Sequence, residues 1–60
     1  MNEKIYINEK FKGELSNLNC GYNEDYITVY KQEDNKIFFK YGKCKLHIPK
    51  AELEDIKRES

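Results

Sequence analysis

The residues nearest to chemistry in this chain are Cys44, His47 and Cys20. The run Cys44-Lys45-Leu46-His47 sets a thiol three positions before the one imidazole, and Cys20 supplies a second sulfur. Zinc is held by such groups, and a Cys–His pair can make a thiolate nucleophile. Both arrangements need the two side chains on one side of the backbone. Lys43 to Ile48 alternates polar with apolar residues, the period of a strand. On a strand, residues three apart point to opposite faces. The spacing therefore predicts neither a shared metal nor a nucleophile pair. Glu52, Glu54 and Asp55 read as a solvated helix surface, and Glu24-Asp25 as turn chemistry. Gly13, Gly21 and Gly42 stand alone, so no loop cradles a phosphate. The sequence assigns no catalytic, metal or cofactor residue, and the reading is of a protein that is not an enzyme.

A second set of side chains depends on how strands align. Tyr26–Lys31, Lys36–Tyr41 and Lys43–Ile48 are alternating runs separated by short turn signals, which predicts an antiparallel meander. Gly42-Lys43 fits a two-residue hairpin with glycine first, the type II′ pattern. Tyr41 then faces Cys44, Phe39 faces Leu46 and Ile37 faces Ile48, all apolar pairs. Glu33-Asp34-Asn35 is read as a three-residue loop with Asn35 in the left-handed position. Val29 then faces Phe39, Ile27 faces Tyr41 and Lys31 faces Ile37. One face becomes the core, carrying Ile27, Val29, Ile37, Phe39, Tyr41, Cys44, Leu46 and Ile48.

The opposite face then carries a row of Tyr30, Phe38 and His47. Lys40 and Lys45 lie directly opposite one another beside it, with Thr28, Tyr26 and Lys36 extending the patch. Like charges in cross-strand register are mildly unfavourable unless solvated or met by an anion. Three readings compete for this face. The N-terminal strands, with Ile5, Ile7 or Phe11, cover it and close a small barrel. Alternatively it is a protein interface, to a larger target or to a second copy, because aromatics with a charged rim suit one. Or it is a platform on which single-stranded nucleic acid stacks.

Other elements must hold this sheet. Lys4-Ile5-Tyr6-Ile7 alternates and reads as a strand. Phe11, Gly13 and Leu15 share one parity and suggest another, from about Lys10 to Ser16. Ser16 to Asp25 is rich in turn residues and reads as a loop. Pro49 stops the last strand and suits a first helical turn. Leu53 and Ile56, spaced i, i+3, make the narrow apolar stripe of a C-terminal helix, with Glu52 near its start and Lys57 and Arg58 near its end. The fold class expected is α+β: an antiparallel meander of four or five strands, or a small barrel, with one C-terminal helix, residues 1–60 forming one domain.

Composition bounds the function. Sixty residues hide only about 60% of the surface that the unfolded chain exposes, leaving little room for a core and a cleft together. Eleven Lys and Arg balance eleven Asp and Glu. That balance argues against a protein that coats DNA by charge alone. Charge is uneven along the chain, with a net excess of lysine over residues 31–48 between acidic flanks. The longest purely apolar run is Ile37-Phe38-Phe39, far short of the roughly 20 residues of a membrane span, so no membrane partner is expected. Met1-Asn2-Glu3-Lys4 leads into no apolar stretch, so no export signal is expected. That favours a cytoplasmic location, with Cys20 and Cys44 as free thiols packed like small apolar groups. Lysine, asparagine and isoleucine have AT-rich codons and are frequent, as in a low-GC bacterium or its phage. The function expected is a small binding or regulatory protein acting through macromolecular contacts. A protein partner, or a second copy as in a homodimer, comes first. Single-stranded nucleic acid, or a purely self-assembling subunit, is the alternative. The partner-binding residues expected are Tyr30, Phe38, His47, Lys40 and Lys45.

Overall fold

Alternation of apolar and polar residues builds most of what the computed structural model shows; it describes residues 2–58. In chain order these are β1 (Glu3–Tyr6), α1 (Glu9–Ser16), β2 (Tyr26–Gln32), β3 (Lys36–Tyr41) and β4 (Cys44–Pro49). A 3-10 turn (Lys50–Glu52) then leads into the one-turn helix α2 (Leu53–Ile56). The four strands form one antiparallel sheet in the order β1-β2-β3-β4. Ile5, Ile27, Val29, Ile37, Phe39 and Tyr41 point to one side of it, where α1 and α2 bury them with Leu15 and Ile56. Leu53 packs against the same core.

Lys10 to Ser16 is not a strand. It lies within α1, whose first turn is capped by Asn8: the side-chain oxygen accepts the Phe11 N–H at 2.8 Å. Such a cap satisfies one of the donors that a helix start leaves free. Phe11 and Leu15 share a parity, but they are also four apart, the spacing of one helix face. Leu15 is buried and Phe11 meets Phe39 edge-on, with ring centroids 6.1 Å apart. Gly13 faces open space, so its missing side chain leaves no hole.

The β3–β4 hairpin has the expected register, with Tyr41 opposite Cys44, Phe39 opposite Leu46 and Ile37 opposite Ile48. Gly42 takes φ +60°. The β2–β3 connection differs from the sequence reading. Lys31 pairs with Phe38 and Gln32 with Ile37, not Lys31 with Ile37. Glu33 N–H donates to the Lys36 carbonyl at 2.9 Å, so the loop is only Asp34-Asn35. A bulge between Val29 and Lys31 inserts the compensating residue and returns Val29 to Phe39. Asn35 is not left-handed; among the described residues Asn19 is the non-glycine residue with positive φ.

Cys20 and Cys44 are joined in a disulfide across 24 positions, with Cα atoms 5.5 Å apart. The free-thiol expectation is overturned. The loop after α1 folds back onto the β3–β4 turn, where Lys43 N–H donates to the Cys20 carbonyl at 3.2 Å. That approach brings the two sulfurs together. Disulfides persist in oxidising surroundings, which sets this one against the cytoplasmic expectation.

The same contact makes Gly42 irreplaceable. A Cβ there would lie 2.5 Å from Tyr22 Cβ and 2.6 Å from the Cys20 carbonyl oxygen. A side chain at positive φ adds a cost of its own, about 1–2 kcal/mol. Gly42→Ala should therefore lose about 2 kcal/mol or more of stability, read as a lower urea midpoint. An unchanged midpoint would mean that the Cys20–Tyr22 loop does not sit on the hairpin.

After α2 the chain turns extended rather than continuing as helix. Lys57 bridges to Ile7, Arg58 N–H donates to the Tyr6 carbonyl at 3.0 Å, and Asn8 N–H to the Ile56 carbonyl at 2.8 Å. Lys57 and Arg58 thus line the outer edge of β1 instead of the end of a helix. The N-terminal strand does not curl over the sheet. It extends the sheet beside β2, and the sheet stays open rather than closing into a barrel. No helix among the described residues is long and apolar enough to cross a membrane.

Candidate binding face

With both helices on the core side, the other side of the sheet has no layer over it among the described residues. The register decides which side chains it shows. From β1 come Lys4 and Tyr6; from β2 come Tyr26, Thr28 and Tyr30, with Lys31 turned to the same side by the bulge; from β3 come Lys36, Phe38 and Lys40; from β4 come Lys45 and His47. All five expected site residues lie here. Phe38 stands opposite His47, their rings 5.5 Å apart and tilted by 43°. Lys40 stands opposite Lys45 as expected. Tyr30 departs from the expected row. The bulge makes Lys31 the residue opposite Phe38, and Tyr30 is met instead by Lys45, whose ammonium lies 5.9 Å from its ring centre.

Cations and rings interleave across the whole face. Lys4 lies 4.4 Å from the Tyr26 ring centre, and Lys31 and Lys36 lie 5.1 and 5.8 Å from that of Phe38. At the β1 end the Arg58 guanidinium lies 5.3 Å from the Tyr6 ring centre while pairing with Asp25. An ammonium over an aromatic face is attracted by the ring quadrupole, about 0.5–1 kcal/mol at an exposed site. The lysines also cover apolar ring surface with their stems, which leaves Tyr26, Tyr30 and Phe38 half-buried without a protein layer above them.

Charge is segregated between the two sides. The outward positions of the four strands hold five lysines and no carboxylate. Glu9, Glu14, Glu52, Glu54 and Asp55 all lie on the helical layer. A chain with no net charge therefore presents one locally cationic face. Among the described residues, two carboxylates reach its rim from loops: Glu33, 3.4 Å from Lys31, and Asp25, paired with Arg58.

Lys4, Tyr6, Lys31 and Arg58 belong to the face and were not anticipated in it. The alternation of Lys4-Ile5-Tyr6-Ile7 carried a signal for two of them, since it puts Lys4 and Tyr6 on one side. Nothing local showed which strand they would join. Lys31 needed the bulge and Arg58 needed the returning chain end.

Other reactive groups are used structurally. Cys44 is spent in the disulfide on the core side, while His47 points outward. No group of three His, Cys, Asp or Glu side chains converges on one point among the described residues. Tyr41 is fully buried and its hydroxyl donates to the Glu24 carbonyl at 2.9 Å. Burial, and then the charge of Glu24, raise its pKa above the ordinary phenol value. Tyr22 stacks edge-on against it, ring centres 4.8 Å apart, and is pushed up further, by burial first and then by Tyr26. Both phenols stay neutral and serve packing. Comparison with family models, curated proteins and solved structures gives no match for this chain.

Proposed function

We propose that this protein is a non-enzymatic binding module whose open sheet face docks an acidic segment of another protein. The observation that carries this reading is the segregation of charge: five lysines, five aromatic or imidazole rings and no carboxylate at the outward strand positions of one uncovered face. Aromatic anchors inside a charged rim are the composition of a protein-binding patch. Carboxylates can meet the ammonium groups where they already lie, without lifting them from the rings. Lys40 and Lys45, in register with nothing acidic between them, gain most from an anion.

Face-to-face pairing of two copies is disfavoured, because it sets lysines against lysines. Single-stranded nucleic acid is the competing anionic partner. Base stacking needs free ring faces, and here lysines occupy them. The rings are also tilted against each other, by 59° for Tyr6 and Tyr26 and 43° for Phe38 and His47, so they offer no flat platform.

A titration with a labelled peptide of glutamate and valine, run beside an oligothymidylate of equal charge, tests the reading. The peptide should bind and weaken as salt rises, since screening acts on exposed charge pairs. The double change Tyr30→Ala and Phe38→Ala should abolish binding and leave the circular dichroism spectrum unchanged, because neither ring belongs to the core. Binding of the oligonucleotide but not of the peptide would replace the protein reading with the nucleic acid one. Undiminished peptide binding by the folded double variant would move the interface elsewhere.

A further inference from the structure

We propose that the partner docks by adding a fifth strand to the free edge of β4, and that this strand alternates acidic with apolar residues. The inference rests on the acidic-partner reading above and names how such a partner is held.

The backbone comes first. β4 is an outermost strand, paired only with β3. Tyr41 and Cys44 close a two-residue hairpin, and such a closing pair exchanges both backbone hydrogen bonds. Alternation then directs the N–H and C=O groups of Cys44, Leu46 and Ile48 toward β3. Those of Lys45 and His47 point outward. One end of this edge is closed by the chain itself, where Lys43 N–H donates to the Cys20 carbonyl at 3.2 Å, and the other end stops at Pro49, which has no N–H to offer. The opposite edge of the sheet is partly taken by Lys57 and Arg58. What remains is a short open rung set at Lys45 and His47, the feature that strand addition uses.

The two sides of that edge differ in chemistry. On the core side, a groove of about 260 Å³ runs between α1 and β4, lined by Phe11, Leu18, Leu46 and Ile48 among others. Leu46 and Ile48 are only half-buried, and Leu18 is 50% exposed, one of two large apolar side chains left so open among the described residues. On the outer side stand Lys45 and, one strand in, Lys40. A strand laid along β4 puts successive side chains on opposite sides. Apolar residues would fill the groove and acidic ones would meet the lysines. The occupant is therefore specified at both positions of the two-residue repeat.

A second copy of this chain fits poorly. The edge carries Lys43, Lys45, His47 and Lys50 against a single acid, Glu14, in the adjoining groove, so two β4 edges would meet with like charges in excess. Lysine on an edge and a proline at its end, here Pro49, are devices by which proteins discourage self-pairing. Here they discriminate against self while attracting an acidic strand.

The test uses peptides of about ten residues, long enough for one strand. One alternates glutamate with valine; a second has the same composition in blocks. The alternating peptide should bind the intact, oxidised protein about tenfold more tightly, since only it gains both the rungs and the groove. N-methylation of its alternate amides should abolish binding on one set and spare it on the other. Amide exchange at Lys45 and His47 should slow on binding. Leu18→Glu, at an exposed site, should weaken the alternating peptide by a similar factor and leave the block peptide unaffected. If both peptides bind equally and the Tyr30→Ala, Phe38→Ala variant loses both, the acidic-face reading stands and strand addition fails. If neither peptide binds, both fail. If light scattering shows a dimer whose Lys45 and His47 amides are protected without peptide, a second copy holds the edge and the proposal is overturned.

Discussion

Phe39→Ala should unfold this protein or bring it to the verge of unfolding. Phe39 is fully buried at the middle of the sheet, with Val29 and Leu46 on its flanking strands and Phe11 of α1 edge-on above it. Truncating a core phenylalanine removes its transfer energy and leaves a cavity, a cost of about 3–5 kcal/mol. Domains gain only about 0.05–0.15 kcal/mol of net stability per residue, about 3–9 kcal/mol for a chain of 60 residues, so the loss takes about half of it or more. The loss is sharpened by position, since Phe39 ties β2, β4 and α1 together and no nearby side chain can fill the space without leaving its own. Thermal or urea denaturation followed by circular dichroism reads the effect. A variant that melts with the wild type would show that the core is centred elsewhere.

Removing the disulfide should have the second largest effect. Cys20 and Cys44 close a loop across 24 positions. In the chain-entropy account a crosslink of that span stabilises by about 3.5 kcal/mol through the unfolded state. It also holds the segment after α1, which has no regular structure of its own, against the β3–β4 turn. The double change Cys20→Ala and Cys44→Ala, or reduction with a thiol reagent, should lower the urea midpoint substantially. Loosening should concentrate in residues 17–25, read as faster amide exchange there than in β2 and β3. Alkylation of the native, unreduced protein should label neither cysteine. Labelling of both would refute the crosslink, and an unchanged midpoint in the double variant would refute its role.

Two of the sequence readings that failed did so for local reasons. The segment around Phe11 and Leu15 supports period two and period four at once, and Gly13 sat at the position that made period two look continuous. The signal that separates them was present: Asn8, three residues before Phe11, is a capping residue ahead of an apolar pair spaced by four. The β2–β3 turn failed in a self-correcting way. A two-residue loop plus a one-residue bulge yields the same pairing at Val29 and Phe39 as a three-residue loop. Burial alone could not tell them apart, and only the partners of Tyr30 to Glu33 change.

What the sequence determined alone follows from local chemistry. Alternation marked β1 through β4, Gly42 in a tight turn set the β3–β4 register, and the apolar pairs Tyr41–Cys44, Phe39–Leu46 and Ile37–Ile48 selected the core face. From that register the sequence also placed Phe38, His47, Lys40 and Lys45 on one side, and the alternation of β2 added Tyr30. The tertiary structure decided everything that joins distant segments. The choice of β1 to extend the sheet rather than cover it leaves the aromatic and lysine face open, and brings Lys4 and Tyr6 into it. The return of Lys57 and Arg58 closes part of one edge, leaving Lys45 and His47 as the open rungs of the other. The loop after α1 brings Cys20 to Cys44. A neutral composition gives no hint that its charges separate onto two sides, because separation is a property of where the helices pack. Local preference acts over a few residues, whereas which surface stays exposed is settled by contacts between segments that the chain order holds apart.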